Sequence, residues 1–177
     1  VVLMAAFTII DHTELTGTQS SYDVTSIPSS YDHLMLRVSA RSDVVANRDT
    51  IGGTVNGDTG GNYGRTNLFT GGEPPSSYGS AGSTEWGDLM DCPGASVLAD
   101  TFNVGQLWFP NYANTSNYKA GIARSSTENN STTTYAFGQQ HVSLLWESTA
   151  AIDQITLDLQ TGDFVQYSSF TLYGLSA

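Results

Sequence analysis

Apolar and polar side chains alternate near the C-terminus, and this pattern constrains the fold more than any other feature of the sequence. Residues 152–159 read Ile-Asp-Gln-Ile-Thr-Leu-Asp-Leu, which has the two-residue period of a half-buried β-strand. Residues 160–163 include Gly162 and have the composition of a turn. Residues 164–173 then return as an aromatic and β-branched strand that ends at Gly174. The sequence therefore predicts a C-terminal β-hairpin and an all-β domain.

The rest of the chain also predicts short strands separated by turns. Residues 33–40 place Leu34, Leu36 and Val38 on one face of a strand. About eight such segments favour a single-domain β-sandwich over residues 1–177, with a jelly roll as the favoured topology. From the alternation we expect these residues in the core: Leu36, Val38, Trp108, Trp146, Ile155, Leu157, Phe170 and Leu172.

Two segments of the predicted domain lack a clear strand pattern. Residues 1–6 are expected to form a flexible N-terminal arm ahead of a first strand at residues 7–10. Residues 50–94 are rich in glycine and serine and contain the Pro74-Pro75 pair, which interrupts a strand ladder. We interpret residues 50–94 as one long, ordered loop excursion that is used for contacts.

The charge of the chain disfavours two classes of partner. Seventeen acidic residues against six Lys and Arg give a formal net charge of −11 at pH 7. Nucleic acids and anionic membranes bind through cationic side chains, so we expect neither as a partner. The single cysteine, Cys92, is expected to be a small buried apolar residue and not a nucleophile.

The sequence contains no recognisable catalytic motif. The HExxH and CxxC metal motifs, the GxSxG elbow and the phosphate-binding glycine loop are all missing from it. Four acids lie in scattered predicted turns, where carboxylates are usually solvated or cap a turn: Asp11, Glu14, Asp32 and Asp153. A glycosidase-like pair of acid and base is therefore not indicated. We expect a non-enzymatic protein that needs no cofactor.

Two sets of residues are candidates for binding. Asn56, Asp58 and Asn62 offer alternating oxygen ligands for calcium, although their segment lacks the bidentate Glu of a helix-loop-helix site. An Asx-rich turn after Val55 is the alternative interpretation. Four aromatic residues in turn-rich segments are candidates for stacking on sugars or contacting a partner, with core packing as the alternative. They are Tyr63, Tyr78, Trp86 and Tyr112.

Four segments, in order along the chain, carry a resemblance to a known family. They read Ile-Pro-Ser-Ser-Tyr-Asp-His-Leu-Met-Leu at residues 27–36, Val-Asn-Gly-Asp-Thr-Gly-Gly-Asn-Tyr at 55–63, Asn-Tyr-Ala-Asn-Thr-Ser-Asn-Tyr-Lys at 111–119 and Ser-Phe-Thr-Leu-Tyr-Gly-Leu at 169–175. The ordered set resembles small virion proteins of tailed bacteriophages. These occur as capsid decoration (cement) proteins or as tail-associated structural proteins.

The resemblance implies a function and a set of partners. It implies a non-enzymatic virion structural protein, most simply a decoration protein on the outer surface of the capsid that clamps neighbouring subunits of the major capsid protein. It also implies a homotrimer at local threefold positions of the shell. The alternative is a tail-fibre or baseplate module that binds a receptor or glycan through Tyr63, Trp86 or Tyr112.

Overall fold

The computed structural model describes residues 6–71, 74–129 and 138–176, and these residues form twelve β-strands and no helix. In chain order the strands are β1 (Ala6–Glu14), β2 (Ser21–Val24), β3 (His33–Ser39), β4 (Arg48–Val55), β5 (Tyr63–Thr70), β6 (Ser76–Ser83), β7 (Trp86–Pro93), β8 (Val104–Pro110), β9 (Lys119–Thr127), β10 (Gly138–Trp146), β11 (Ile155–Leu159) and β12 (Ser169–Ser176). In the described ranges, therefore, no helix has the length and apolarity needed to cross a bilayer.

The strands form two antiparallel sheets that pack into a β-sandwich, as predicted. One sheet has eight strands in the order β1-β12-β3-β8-β9-β10-β5-β6, and the other has four in the order β2-β11-β4-β7. Their facing sides enclose one hydrophobic core. Early strands pair with late ones, since β1 lies beside β12 and β2 beside β11, while β3 pairs with β8 and β4 with β7.

Four strands widen the larger sheet beyond this nested arrangement. The antiparallel pair β5 and β6 is inserted in the chain between β4 and β7, and the pair β9 and β10 between β8 and β11. All four join the larger sheet next to β8, in the order β9-β10-β5-β6. The sheet surface opposite the core, called the outer face below, therefore spans eight strands.

Strict alternation within the strands separates the core from the outer face. In β10, Val142, Leu144 and Trp146 are buried while Ser143 and Leu145 between them are exposed. The two sheets meet through large side chains, and the ring of Tyr22 in β2 stacks on Phe170 of β12 with centroids 4.4 Å apart. Each such fully buried side chain contributes roughly 1.5–3 kcal/mol of hydrophobic free energy.

Seven of the eight residues predicted for the core are buried, and Trp108 is not. Leu36, Val38, Trp146, Ile155, Leu157, Phe170 and Leu172 lie between the sheets. In β8 the inward positions belong to Leu107 and Phe109, so Trp108 points to the outer face and is half-buried. Three consecutive large apolar residues hide the phase of the alternation in the sequence, which is why the prediction for Trp108 was wrong.

The interpretation of residues 50–94 as one long loop is also wrong, because β4 to β7 occupy most of this segment. The glycines of β4 lie in a strand, at positions where neighbouring strands leave no room for a Cβ atom. A Cβ added at Gly53 would lie 2.6 Å from the carbonyl oxygen of Thr156 in β11. β6, which is rich in glycine and serine, lies at the edge of the sheet and pairs with β5 alone.

The predicted C-terminal strands exist, but they do not form a hairpin. β11 belongs to the four-stranded sheet and β12 to the eight-stranded sheet, and residues 160–168 cross between them. On the way, Phe164 makes isolated bridges with Gln19 and Ser42 and buries its ring in the core. A hairpin would need a connection of about two to five residues, and this crossing is longer.

Two predictions concern segments at the limits of the described ranges. Of the N-terminal arm predicted at residues 1–6, Ala6 is the first residue of β1, and residues 1–5 lie outside the described residues. Residues 132–137, whose β-branched and aromatic residues predict a strand, lie outside them as well.

Candidate interaction surface

Three of the four aromatic residues predicted to make external contacts are core residues instead. Tyr63, Trp86 and Tyr112 are each at most 1% exposed, whereas Tyr78 is 41% exposed. The ring of Tyr63 packs edge-on against Trp86 with centroids 4.8 Å apart, and the Tyr112 hydroxyl donates to the carbonyl of Pro28. Turn-rich sequence around these residues made them look exposed, but their rings point between the sheets. Tyr78 alone remains available for a surface contact.

The predicted calcium ligands do not converge on a common point. The Asn56 oxygen accepts the backbone N–H groups of Asp153 and Gln154. The Asp58 carboxylate accepts the Asn62 amide at 2.9 Å and the Trp146 indole N–H at 2.7 Å, and it also accepts the N–H of Gly60. Oxygen atoms that face N–H donors are not available to a cation. The segment is the Asx-rich turn that was the alternative interpretation.

Asp58 anchors this turn electrostatically, and the effect of pH on stability tests its role. Hydrogen bonds from Asn62, Trp146 and Gly60 hold the pKa of the Asp58 carboxyl below its ordinary value. A carboxyl whose pKa is lowered by folding adds stability above its unfolded pKa of about 3.9, and that stability is lost as the pH falls through the folded value. We expect Asp58→Asn to unfold at lower denaturant than wild type at neutral pH, with a difference that shrinks below about pH 4.

Asp153→Asn is the matched control for this prediction. The Asp153 side chain is exposed and accepts no hydrogen bond within the described part of the chain, so this variant should unfold like the wild type. Calcium should leave the unfolding midpoint of the wild type unchanged. If calcium raised the midpoint of the wild type and Asp58→Asn abolished this rise, the result would support a calcium site at Asp58.

Potentially reactive side chains inside the fold have structural roles. Burial, together with the nearby Asp49 and Asp91, raises the pKa of the Cys92 thiol, which is fully buried. The ammonium group of Lys119 is buried and donates to the carbonyls of Asn117 and Thr149, at 2.8 and 3.1 Å. In the ranges that the structure covers, no three His, Cys, Asp or Glu side chains are grouped to hold a metal ion. These residues give no support to a catalytic centre.

A row of apolar side chains crosses the outer face. It runs over five neighbouring strands, with each residue opposite the next in the strand register: Ile9, Tyr173, Met35, Trp108 and Ile122. We call this set the apolar row. Ile9 is 59% exposed, and Phe7 beside it is 60% exposed and packs edge-on against Tyr173. A row of this kind on a solvent-facing sheet marks a surface that gains free energy when it is covered.

A second row, two residues further along each strand, carries positive charge. Arg37, Gln106, Arg124 and His141 are successive cross-strand neighbours on β3, β8, β9 and β10. We call these four residues the basic row. They line a shallow depression in the outer face, and a second depression continues from Arg124 and His141 towards β5. Strand geometry places the basic row roughly 7 Å from the apolar row.

The two arginines of the basic row have no partner among the described residues, unlike the other cationic residues. Arg48 pairs with Asp91 at 2.7 Å, Arg65 donates to Ser80, and Arg41 and Lys119 donate to backbone carbonyls. Within the described residues, Arg37 and Arg124 make no hydrogen bond and no ion pair, and both are exposed. Their charge is therefore available to an external group.

Acidic residues are segregated away from the outer face. Strands β3, β5, β6, β8, β9, β10 and β12 contain no Asp or Glu, and the edge strand β1 contains only Asp11 and Glu14. Every strand of the smaller sheet carries at least one Asp. A chain with a net charge of −11 thus has one broad surface that is neutral to basic.

The outer face was not predicted from the sequence, although part of its signal is present there. The lack of Asp and Glu in the strand segments can be read from the sequence. The two rows cannot, because they exist only in the register that brings Arg37 beside Gln106 and Gln106 beside Arg124. Comparison of the chain with known protein families, curated proteins and solved structures finds no match.

Proposed function

We propose that this chain is a non-enzymatic structural protein of a bacteriophage virion, most simply a decoration protein that clamps neighbouring subunits of the major capsid protein from outside. The observation that carries the proposal is the outer face, which is broad and open and joins a row of mostly exposed or half-buried apolar side chains to two arginines that have no partner among the described residues. Aromatic residues, Met and Arg are enriched in protein–protein interfaces. Such a face suits assembly with other protein subunits better than turnover of a small substrate.

We also infer that the sandwich is of the jelly-roll type. The strand orders β1-β12-β3-β8 and β2-β11-β4-β7 support this inference. They are the orders obtained when one long antiparallel hairpin rolls up so that its successive strand pairs alternate between two sheets. The pairs β5–β6 and β9–β10 are then insertions that widen one of the two sheets.

Contacts among the segments that carry the family resemblance support the proposal from another direction. The ring of Tyr31 in the first segment lies over Gly174 in the last, and the N–H of Asp32 donates to the carbonyl of Leu175 at 2.8 Å. Tyr112 of the third segment donates to Pro28 of the first. The resembling residues therefore build a shared part of the fold, so that the resemblance and the architecture support each other.

The alternative, a tail-fibre or baseplate module that binds a receptor or glycan, loses most of its predicted stacking residues. Tyr63, Trp86 and Tyr112 are buried and do not offer a ring face to a sugar. Tyr78 remains, with its ring edge-on to Phe69 at a centroid distance of 5.7 Å. One exposed ring at a sheet edge gives this alternative less support than the outer face gives to assembly.

Cryo-electron microscopy of the virion that contains this chain tests the proposal. We expect density for the chain at local threefold positions over the whole outer shell. Addition of the purified chain to shells that lack it should raise their resistance to heat and osmotic shock. Density confined to the tail would favour the alternative, and shells that neither bind the chain nor gain resistance would refute the decoration role.

A further inference from the structure

We propose that copies of this chain associate head to tail, with the outer face of one copy receiving an acidic, apolar tip of the next. The tip, called the acidic tip below, consists of residues 43–47, between β3 and β4, and residues 95–101, between β7 and β8. The inference deepens the assembly role proposed above by assigning the outer face to contacts between copies, which leaves the other surfaces of the assembled copies for the capsid subunits. It rests on the proposed function only for the expectation that the chain works as an oligomer.

The acidic tip presents the most exposed large apolar side chain of the described residues. Val45 is 88% exposed, and Leu98 in the neighbouring loop is 58% exposed. The exposed carboxylates of Asp43 and Asp100 belong to the same two loops. Apolar side chains beside carboxylates are the chemical counterpart of the apolar row beside the basic row. The tip and the outer face therefore match in both charge and polarity.

Backbone hydrogen bonds hold the two loops of the acidic tip together. The N–H of Ala95 donates to the carbonyl of Val44 at 2.7 Å, and the N–H of Ser96 donates to Ala46 at 3.1 Å. The N–H of Gly94 donates to Asn47 at 3.2 Å. These bonds fix the shape of the tip in the free chain.

A buried arginine supports the acidic tip from below. The Arg41 guanidinium is 9% exposed and donates to the carbonyls of Val97, Leu98 and Thr101, at 3.3, 2.8 and 3.0 Å. These bonds use one of the six cationic residues to hold a loop in which the side chains of Leu98 and Asp100 are exposed. A loop ordered before binding loses little conformational entropy when it docks. The tip is thus built as a preorganised contact.

The charges of the outer face and the acidic tip favour a face-to-tip contact between copies. Two outer faces brought together would oppose Arg37 and Arg124 to their own copies, and two tips would oppose Asp43 and Asp100. Like charges in an interface cost several kcal/mol. Face against tip pairs opposite charges and gives a heterologous contact, which closes into a ring when the rotation allows. A closed ring is compatible with the trimer expected from the resemblance.

Two variants with altered charge test this arrangement by sedimentation velocity of the full chain over a wide concentration range. The face variant carries Arg37→Glu and Arg124→Glu, and the tip variant carries Val45→Lys and Leu98→Lys. These four side chains are exposed, and none donates or accepts a hydrogen bond within the described residues, so folding should be retained. Melting curves check this point. A control with Thr18→Glu and Thr59→Glu adds negative charge on exposed loops outside both surfaces.

We expect the wild type and the control to associate, and added salt to weaken their association. Each variant alone should self-associate at least about tenfold more weakly than the wild type, since like charges then oppose each other. An equimolar mixture should regain pairwise association, because the unaltered tip of the face variant can dock on the unaltered face of the tip variant. A monomeric wild type, variants that associate like the wild type, or a mixture that stays dissociated would overturn the inference. Shell binding by the wild type decides the proposed function separately.

Discussion

Trp86→Ala is expected to lower the free energy of unfolding by about 3–5 kcal/mol, the range for truncation of a buried aromatic side chain. Trp86 is 1% exposed and lies on β7 of the smaller sheet. Its indole N–H donates to the carbonyls of Gly64 and Leu145, both at 3.1 Å, on two strands of the larger sheet. The side chain thus joins the sheets by packing and by hydrogen bonds. Its loss leaves a cavity and removes a buried donor from both carbonyls.

Equilibrium denaturation gives the measurement, and Trp108→Ala is the matched control. Trp108 faces outward and is half-buried, so the same truncation there should cost about 1 kcal/mol or less. Trp86→Phe keeps most of the ring and removes the N–H donor, and it should cost about 1–3 kcal/mol. Equal losses for Trp86→Ala and Trp108→Ala would show that the two tryptophans do not occupy opposite faces.

The sequence predicted those strands in which apolar residues alternate with polar ones. In β10 the alternation is regular, and in β3 Leu34, Leu36 and Val38 are buried on the predicted face, although Met35 on the other face is also only 8% exposed. The strand period alone decides such positions, since every second side chain points to the same side of a sheet. The sandwich class followed from the number of these strands, and the structure agrees.

Strands defined by tertiary contacts were missed. β4 contains Gly52 and Gly53 because β7 and β11 pass close to it, and β6, which is rich in glycine and serine, is a strand because it pairs with β5 at the edge of the sheet. Propensity gives both segments the character of loops. The assignment of β11 and β12 to different sheets likewise depends on long-range pairing, so local alternation could not distinguish it from a hairpin.

The same physical limit applies to the candidate surface. Aromatic residues near turns were predicted as contacts, but burial depends on which side of its strand a residue occupies. Tyr63 begins β5 and points inward, where its hydroxyl donates to the backbone carbonyl of Asp58 and burial raises the pKa of the hydroxyl to about 12. Trp108 was predicted inside and lies outside. A shift of the strand alternation by one position moves a side chain from the core to the outer face. Around Trp108 the residues of both possible alternations are apolar, so the sequence does not show which of them faces the core.

Gly174→Ala is expected to destabilise the fold by about 1–3 kcal/mol, although alanine normally suits a strand better than glycine. Gly174 lies in β12 between β1 and β3, at the place where two of the resembling segments meet. A Cβ at this position would lie 2.7 Å from Cδ1 of Tyr31, and still closer to two other atoms of that ring. The ring packs against the core, so its displacement uncovers apolar surface.

Gly64→Ala provides the matched control, because a Cβ there would meet its nearest atoms at 3.7 and 3.8 Å, which is ordinary contact. That variant should be neutral or slightly more stable than the wild type. Tyr31→Ala should make Gly174→Ala tolerable, so a double-mutant cycle is expected to give a coupling energy of about 1 kcal/mol or more. Additive effects in this cycle would mean that the Tyr31 ring does not require glycine at position 174. Coupling would instead show that these two segments depend on each other through packing, which is a requirement of the fold and not of a binding site.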